Sequence, residues 1–120
     1  MEIYTQLTSA GLLVSIKGAL DGLSEDRVKR QLTSVLQMDR KYLLLDFSGV
    51  TEVTPAGLRN LLPYVQQVQQ LKKELILFNL EGNIHGLINS SGFDSLVKVV
   101  DSLDTAIKYA KGRDSGGYNK

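Results

Sequence analysis

Hydrophobic positions in five segments of the chain follow patterns typical of β-strands. Two N-terminal segments are apolar or alternating and are separated by Ser9-Ala10-Gly11, which predicts an antiparallel hairpin. Three later runs are more continuously apolar, as expected of strands covered by neighbouring elements. The predicted strands are Ile3 to Leu7, Leu12 to Ile16, Tyr42 to Phe47, Glu74 to Phe78 and Leu96 to Val100.

Helical periodicity fills the segments between these strands. After the turn Gly18 to Gly22, Ser24 is predicted to cap a first helix that ends near Gln37. A short helix is predicted from Asn83 to Asn89, with Gly92 as its left-handed stop. Ser102 is predicted to cap a final helix.

The helix before Glu74 has a well-defined start. Thr54 can accept a hydrogen bond from an orphan helix donor, and Pro55 at the first helical position lacks only an N–H that would be unpaired. Pro63 lies further along and predicts a kink or a division into two short helices. Residues predicted to face inward are Leu58, Leu61, Leu62, Val65, Val68 and Leu71.

Strands that alternate with helices after an opening hairpin predict a single α/β domain, with a mixed sheet of about five strands and about four helices packed against it. The domain is predicted to span residues 1–111. Residues 112–120 lack an apolar pattern and are predicted to be a disordered tail.

Composition excludes several classes of site. The chain of 120 residues has no cysteine and one histidine, so disulfides, thiolate metal sites and multi-histidine metal sites are excluded. A formal charge of +1 gives no field that favours nucleic acid or an anionic membrane. Neither a signal peptide nor a membrane-spanning run is seen, which predicts a cytoplasmic protein without membrane insertion.

Three motifs in order resemble the STAS domains (sulfate transporter and anti-sigma factor antagonist). Leu45-Asp46-Phe47-Ser48-Gly49-Val50 with Gly57-Leu58 resembles the family's L-D-L-S-x-V…G-L stretch. Gly18-Ala19-Leu20-Asp21 is similar to its early G-x-L/I-D turn. Ser91-Gly92-Phe93 with Asp101 to Ala106 is similar to its late segment, so the resemblance covers about residues 1–110 and implies the STAS α/β fold.

The resemblance breaks at the family's regulatory serine. That position is Pro55, which has no hydroxyl, while Thr54 stands in place of the preceding Asp and Ala56 follows. The family's phosphoacceptor is therefore absent at its usual place. Thr51 and Ser48 stay open as alternative acceptors, whereas Thr54 is a poor one if its oxygen caps the helix.

The start of the second helix is the main candidate site. A helix N-terminus suits an anion or an acidic group, although an ordinary capped helix explains the same residues. The resemblance implies that partners bind here. The predicted partner-binding residues are Asp21, Thr51, Thr54, Pro55, Ala56, Gly57, Leu58 and Arg59.

Other polar residues suggest no chemistry. Asp21 and Asp46 follow apolar strands without a nucleophile or histidine beside them, so turn-forming roles are favoured over catalysis. His85 has no companion ligands, and we assign no metal and no cofactor. The outer face of the second helix is rich in uncharged amides, which fits either a simple solvated face or a partner surface: Gln66, Gln67, Gln69 and Gln70.

The resemblance implies a non-catalytic protein-binding domain, similar to an anti-sigma factor antagonist in a bacterial partner switch. Its implied partner is a kinase-fold anti-sigma factor. One alternative is a small STAS subunit that binds the ATPase of an ABC-type transporter, which the loss of the serine favours. Another is a sensor of a small ligand or nucleotide, suggested by the helix start. The oligomeric state is left open.

Overall fold

The computed structural model describes residues 1–118, with side chains as far as Arg113. Five strands form one sheet in the order β1-β2-β3-β4-β5, with β1 antiparallel to β2 and the other pairs parallel. The predicted mixed sheet in an α/β fold is therefore confirmed. The strands are β1 (Glu2–Leu7), β2 (Leu12–Leu20), β3 (Tyr42–Val53), β4 (Glu74–Phe78) and β5 (Lys98–Val99).

Four helical segments connect or follow the strands. The first, α1, consists of a 3₁₀ turn, two short α-helical pieces and a π-helical stretch between them: Gly22–Ser24, Glu25–Arg27, Val28–Leu32 and Thr33–Val35. The others are α2 (Pro55–Gln70), α3 (Gly82–Ser90) and α4 (Leu103–Tyr118), with a 3₁₀ turn at Phe93–Ser95. The backbone of residues 112–118, predicted as part of a disordered tail, thus lies in α4, and residues 119 and 120 lie outside the described residues.

The sheet is covered on both faces. Leu43, Leu45 and Phe47 of β3 belong to the core beneath α1, α2 and α3, while Tyr42 and Leu44 belong to a second core on the opposite face. Helix α4 closes this second core with the small residues Ala106 and Ala110, which allow close approach. Burial on both sides explains the continuous apolar run of this strand.

Strand β3 is longer than the sequence pattern predicts. Residues Ser48 to Val53, which lie beyond the predicted end of the strand at Phe47, continue the strand and pair with the second half of β2. The Asp46 carboxylate accepts a hydrogen bond from the Ser48 N–H at 2.8 Å, close to the shifts in the β2–β3 register. This local turn explains why the sequence after Asp46 has the polar pattern of a loop although its backbone continues the strand.

Three further predictions need correction. Helix α2 is continuous through Pro63, so the division into two short helices is wrong. Leu62 and Leu71 of its predicted inward stripe are exposed, and Tyr64 is buried instead. Leu62 lies beside the buried stripe on the helix surface, and Leu71 lies beyond Gln70, the last helical residue. Strand β5 is restricted to Lys98–Val99, because the 3₁₀ turn at Phe93–Ser95 precedes it.

Candidate functional site

Helix α2 begins as the sequence predicts. Thr54 has extended backbone angles, and its Oγ1 accepts a hydrogen bond from the Gly57 N–H at 3.1 Å. The Leu58 N–H donates to the Thr54 carbonyl at 3.0 Å, and Pro55 has no N–H. Within the described chain, Ala56 therefore carries the one first-turn N–H without a hydrogen bond. The helix start offers fewer free donors to an anion than the sequence suggests.

The turn that follows β2 is held by a reciprocal cap. The Asp21 carboxylate accepts from the Leu23 N–H at 2.9 Å, and the Asp21 N–H donates to Ser24 Oγ at 3.0 Å. Ser24 Oγ in turn donates to the Ala19 carbonyl at 3.1 Å. The prediction of Ser24 as the cap of α1 is wrong, because Ser24 is already helical and the extended Asp21 provides the cap.

These two turns form one surface because the ends of the parallel strands β2 and β3 are adjacent. The Thr54 N–H donates to the Leu20 carbonyl at 3.1 Å, and Asn60 Nδ2 donates to the Asp21 carbonyl at 3.0 Å. Gly57 lies directly against the backbone of Leu20 and leaves no space for a side chain. The arrangement holds the helix start and the Asp21 turn in a fixed relation.

The predicted site residues divide into exposed and buried sets. Thr51, Pro55 and Arg59 are exposed, and Asp21, Thr54 and Ala56 are partly exposed. Gly57 and Leu58 are buried: Gly57 contacts the end of β2, and Leu58 belongs to the main core. Their side of the helix anchors the surface and faces away from solvent.

Two residues of this region were missed by the sequence analysis. Leu23, in the Asp21 turn, is 92 % exposed although it is a large apolar residue. Its signal in the sequence is an apolar residue between two cap-forming side chains. Asn60 was given no role, yet it joins the two turns; its position three residues after Gly57, on the same helical face, is the available signal.

Arg59 lies between two cavities and forms no ion pair among the described residues. One cavity, of about 280 Å³, is largely apolar and is bounded by Pro55, Leu58, Leu62 and the segment around Phe93. The other, of about 360 Å³, lies between α1 and α2 and includes Tyr64. Burial raises the pKa of Tyr64 above its ordinary value of 10.0, and its hydroxyl has no hydrogen-bond partner in the described structure.

The remaining polar candidates have local structural contacts. Besides the Ser48 N–H, the Asp46 carboxylate accepts from Asn79 Nδ2 at 3.1 Å, which ties β3 to the end of β4. His85 is exposed, and its Nδ1 lies 3.2 Å from Asn89 Nδ2. Ordinary turn and helix contacts therefore explain the positions of Asp46 and His85.

Comparison with known proteins places this surface in a familiar fold. A family model described as the STAS domain matches residues 2–106. The chain belongs to the STAS domain family. A curated relative from Bordetella bronchiseptica, named as the candidate anti-sigma factor antagonist BtrV, is 24 % identical over 106 residues, which cover 88 % of this chain and 91 % of the relative.

Two solved structures extend the comparison. An anti-sigma factor antagonist from Mycobacterium paratuberculosis has a TM-score of 0.80 at 16 % identity, covering 92 % of this STAS chain and 93 % of the other. The murine anion transporter Slc26a9 has a TM-score of 0.78 at 19 % identity, covering 89 % of this chain and 18 % of the transporter. Within residues 1–118, no helix combines the length and the apolar character needed to cross a membrane.

Proposed function

We propose that this STAS domain is a non-catalytic, protein-binding regulator, similar to an anti-sigma factor antagonist in a bacterial partner switch. The observation that carries the proposal is the rigid pairing of the Asp21 turn with the start of α2. The named relative supports the regulatory role. The proposed partner is a kinase-fold anti-sigma factor, and the proposed setting is the cytoplasm.

The helix-start surface consists of Asp21, Leu23, Thr51, Thr54, Pro55, Ala56 and Arg59. Several of its polar groups are already engaged within the chain: the Asp21 carboxylate binds the Leu23 N–H, and the Thr54 hydroxyl binds the Gly57 N–H. Recognition would therefore depend mainly on shape and on apolar contacts. Leu23 is the natural anchor, because a large apolar side chain on a fixed turn can enter a partner's pocket with little loss of backbone entropy.

We further propose that no phosphorylation at the family position switches this surface. Pro55 provides no hydroxyl, and the Thr54 oxygen is held toward the backbone. Incubation with the cognate serine kinase and ATP should add no phosphate to residues 54–57, as judged by phosphopeptide mapping. A phosphopeptide at Thr54 would contradict the proposal, while phosphate at Ser48 or Thr51 would identify a different switch.

A binding experiment tests the surface itself. The wild-type domain would be titrated against each purified kinase-fold anti-sigma factor encoded in the same genome, using calorimetry. Leu23→Ser should weaken binding by at least about tenfold, since the loss of an interface anchor costs more than about 1.4 kcal/mol. Ala56→Arg, which places a bulky cation at the helix start, should abolish binding.

Lys108→Ala is the matched control, because Lys108 is an exposed residue of α4, on the opposite face of the sheet from α2. It should bind like the wild-type domain. If Leu23→Ser and Ala56→Arg bind normally while remaining folded, the helix-start surface is not the docking site.

A second candidate is a STAS subunit of a transporter complex. The absence of a hydroxyl at Pro55 favours it, because such a subunit needs no phosphorylation cycle. The same titration against ABC-type ATPases of the genome separates the candidates. Binding to an ATPase and to none of the anti-sigma factors would favour the transporter role.

A further inference from the structure

Strand β1 forms one edge of the sheet, and no described segment pairs with its outer side. Natural edge strands usually carry lysine, proline, a bulge or a very short length, each of which prevents pairing with another strand. β1 has six residues, Glu-Ile-Tyr-Thr-Gln-Leu, with an unbroken register and Glu2 as its one charged residue. The opposite edge, β5, is only two residues long. β1 is thus the unprotected edge.

The hairpin determines which backbone groups of β1 are free. The Thr8 N–H donates to the Gly11 carbonyl at 2.9 Å, which marks residues 8 and 11 as a hydrogen-bonded pair. Hydrogen-bonded and non-hydrogen-bonded pairs alternate along an antiparallel ladder. With the register from Leu7–Leu12 to Glu2–Lys17, the even-numbered residues of β1 direct their backbone groups at β2. Ile3, Thr5 and Leu7 direct theirs outward.

We propose that the outer edge of β1 pairs with β1 of a second copy of this chain, antiparallel, with Thr5 opposite Thr5 on the twofold axis. This register uses all three outward residues and forms about six backbone hydrogen bonds. It places Ile3 opposite Leu7 and Tyr4 opposite Gln6. Shifting the two strands by two residues in either direction leaves only two of the three outward residues paired.

Side chains suit this self-pairing. Leu7 is 53 % exposed and Tyr4 is 50 % exposed, and both gain a cross-strand neighbour in the dimer. Glu2 falls opposite Thr8, so no like charges of β1 face each other. A second copy is therefore the occupant that the edge itself favours. Because each copy would contribute one six-residue strand, we expect the contact to be smaller than the standard interface of about 1,600 Å² and the dimer to dissociate on dilution.

Sedimentation equilibrium of the full chain tests the proposal. Between about 10 μM and about 1 mM, the range of a weak complex, the apparent mass should rise from 13.2 kDa toward twice that value. Thr5→Lys and Thr5→Glu should each remain monomeric, because like charges would meet on the axis. An equimolar mixture of the two variants should recover the doubled mass. Thr5→Val, which keeps the backbone and a β-branched side chain, should dimerise like the wild-type chain.

Hydrogen exchange gives a second, residue-specific readout. Protection of the Ile3, Thr5 and Leu7 amides should increase with protein concentration, while protection of Tyr4 and Gln6 should not change. A wild-type chain that stays monomeric at about 1 mM overturns the proposal. So does dimerisation of Thr5→Lys alone, failure of the mixed variants to associate, or concentration-dependent protection confined to other strands. None of these outcomes depends on the helix-start surface, so failure of the dimer proposal can be distinguished from failure of the proposed function.

Discussion

Gly57 allows α2 to rest on the end of β2, and its replacement by alanine should separate the two turns of the helix-start surface. A Cβ atom at this position would overlap the carbonyl group of Leu20 and would stand 2.8 Å from the Asp21 nitrogen. All of these atoms belong to the backbone, which cannot rotate away as a side chain could. Either the helix must move outward or the end of β2 must bend.

The expected cost follows from two opposing terms. Overpacking a fixed site costs about 1–3 kcal/mol, and overlap with backbone places Gly57→Ala near the upper limit. Alanine in a helix recovers about 0.5–1 kcal/mol relative to glycine. The net loss in the free energy of unfolding should therefore be about 2 kcal/mol. Urea unfolding followed by circular dichroism measures it.

Gly86→Ala is the matched control. Gly86 lies inside α3 and is exposed, and a methyl group on its Cα would meet no atom of another element within 4 Å. The same substitution there should raise the free energy of unfolding by about 0.5–1 kcal/mol. If Gly57→Ala proved as stable as the wild-type chain while Gly86→Ala was stabilised, the inference that α2 and β2 leave no space for a side chain at Gly57 would be wrong.

Substitutions at two further positions test individual side chains. Tyr64→Phe removes a buried hydroxyl without a partner, so near neutral pH it should leave the free energy of unfolding unchanged or raise it by up to about 1 kcal/mol. Burial raises the pKa of Tyr64 above 10.0, so on raising the pH this side chain ionises first in the unfolded state. Above about pH 10, the free energy of unfolding of the wild-type chain should therefore fall by about 1.4 kcal/mol per pH unit relative to that of Tyr64→Phe. Urea unfolding from about pH 7 to about pH 11 measures this, and a constant difference between the two chains would contradict it. Thr54→Ala should cost about 1 kcal/mol through loss of the cap, whereas Thr54→Ser should cost little; equal losses would show that the hydroxyl does not cap α2.

Features that depend on neighbouring residues could be read from the sequence. The opening hairpin, the Thr54 cap with Pro55 after it, and the left-handed Gly92 each have a strong local signal, and the structure contains all three. The continuous apolar run of β3 likewise predicted a central strand. These local signals were sufficient for the fold class.

Features that depend on contacts between distant residues could not be read in this way. The extension of β3 to Val53 needs its pairing with β2, because the local pattern is that of a loop. The choice of Asp21 over Ser24 as a cap depends on where β2 ends. Asp21 was grouped with the start of α2 only through the family resemblance; the contact itself, and the role of Asn60 in holding it, follow from the parallel register of β2 and β3.

The same contacts bear on how the proposed regulator could be controlled. The Asp21 turn and the Thr54 cap are each closed by their own side chains, and Asn60 and Gly57 hold them together. A surface built in this way has no hydroxyl at Pro55 to carry a charge and few free amides to receive one. A phosphate at the family position therefore could not modulate its affinity for a partner. Control of the proposed complex would have to act on Thr51, the exposed hydroxyl of this surface, on the partner, on the amount of this chain, or on the pairing of its β1 edges.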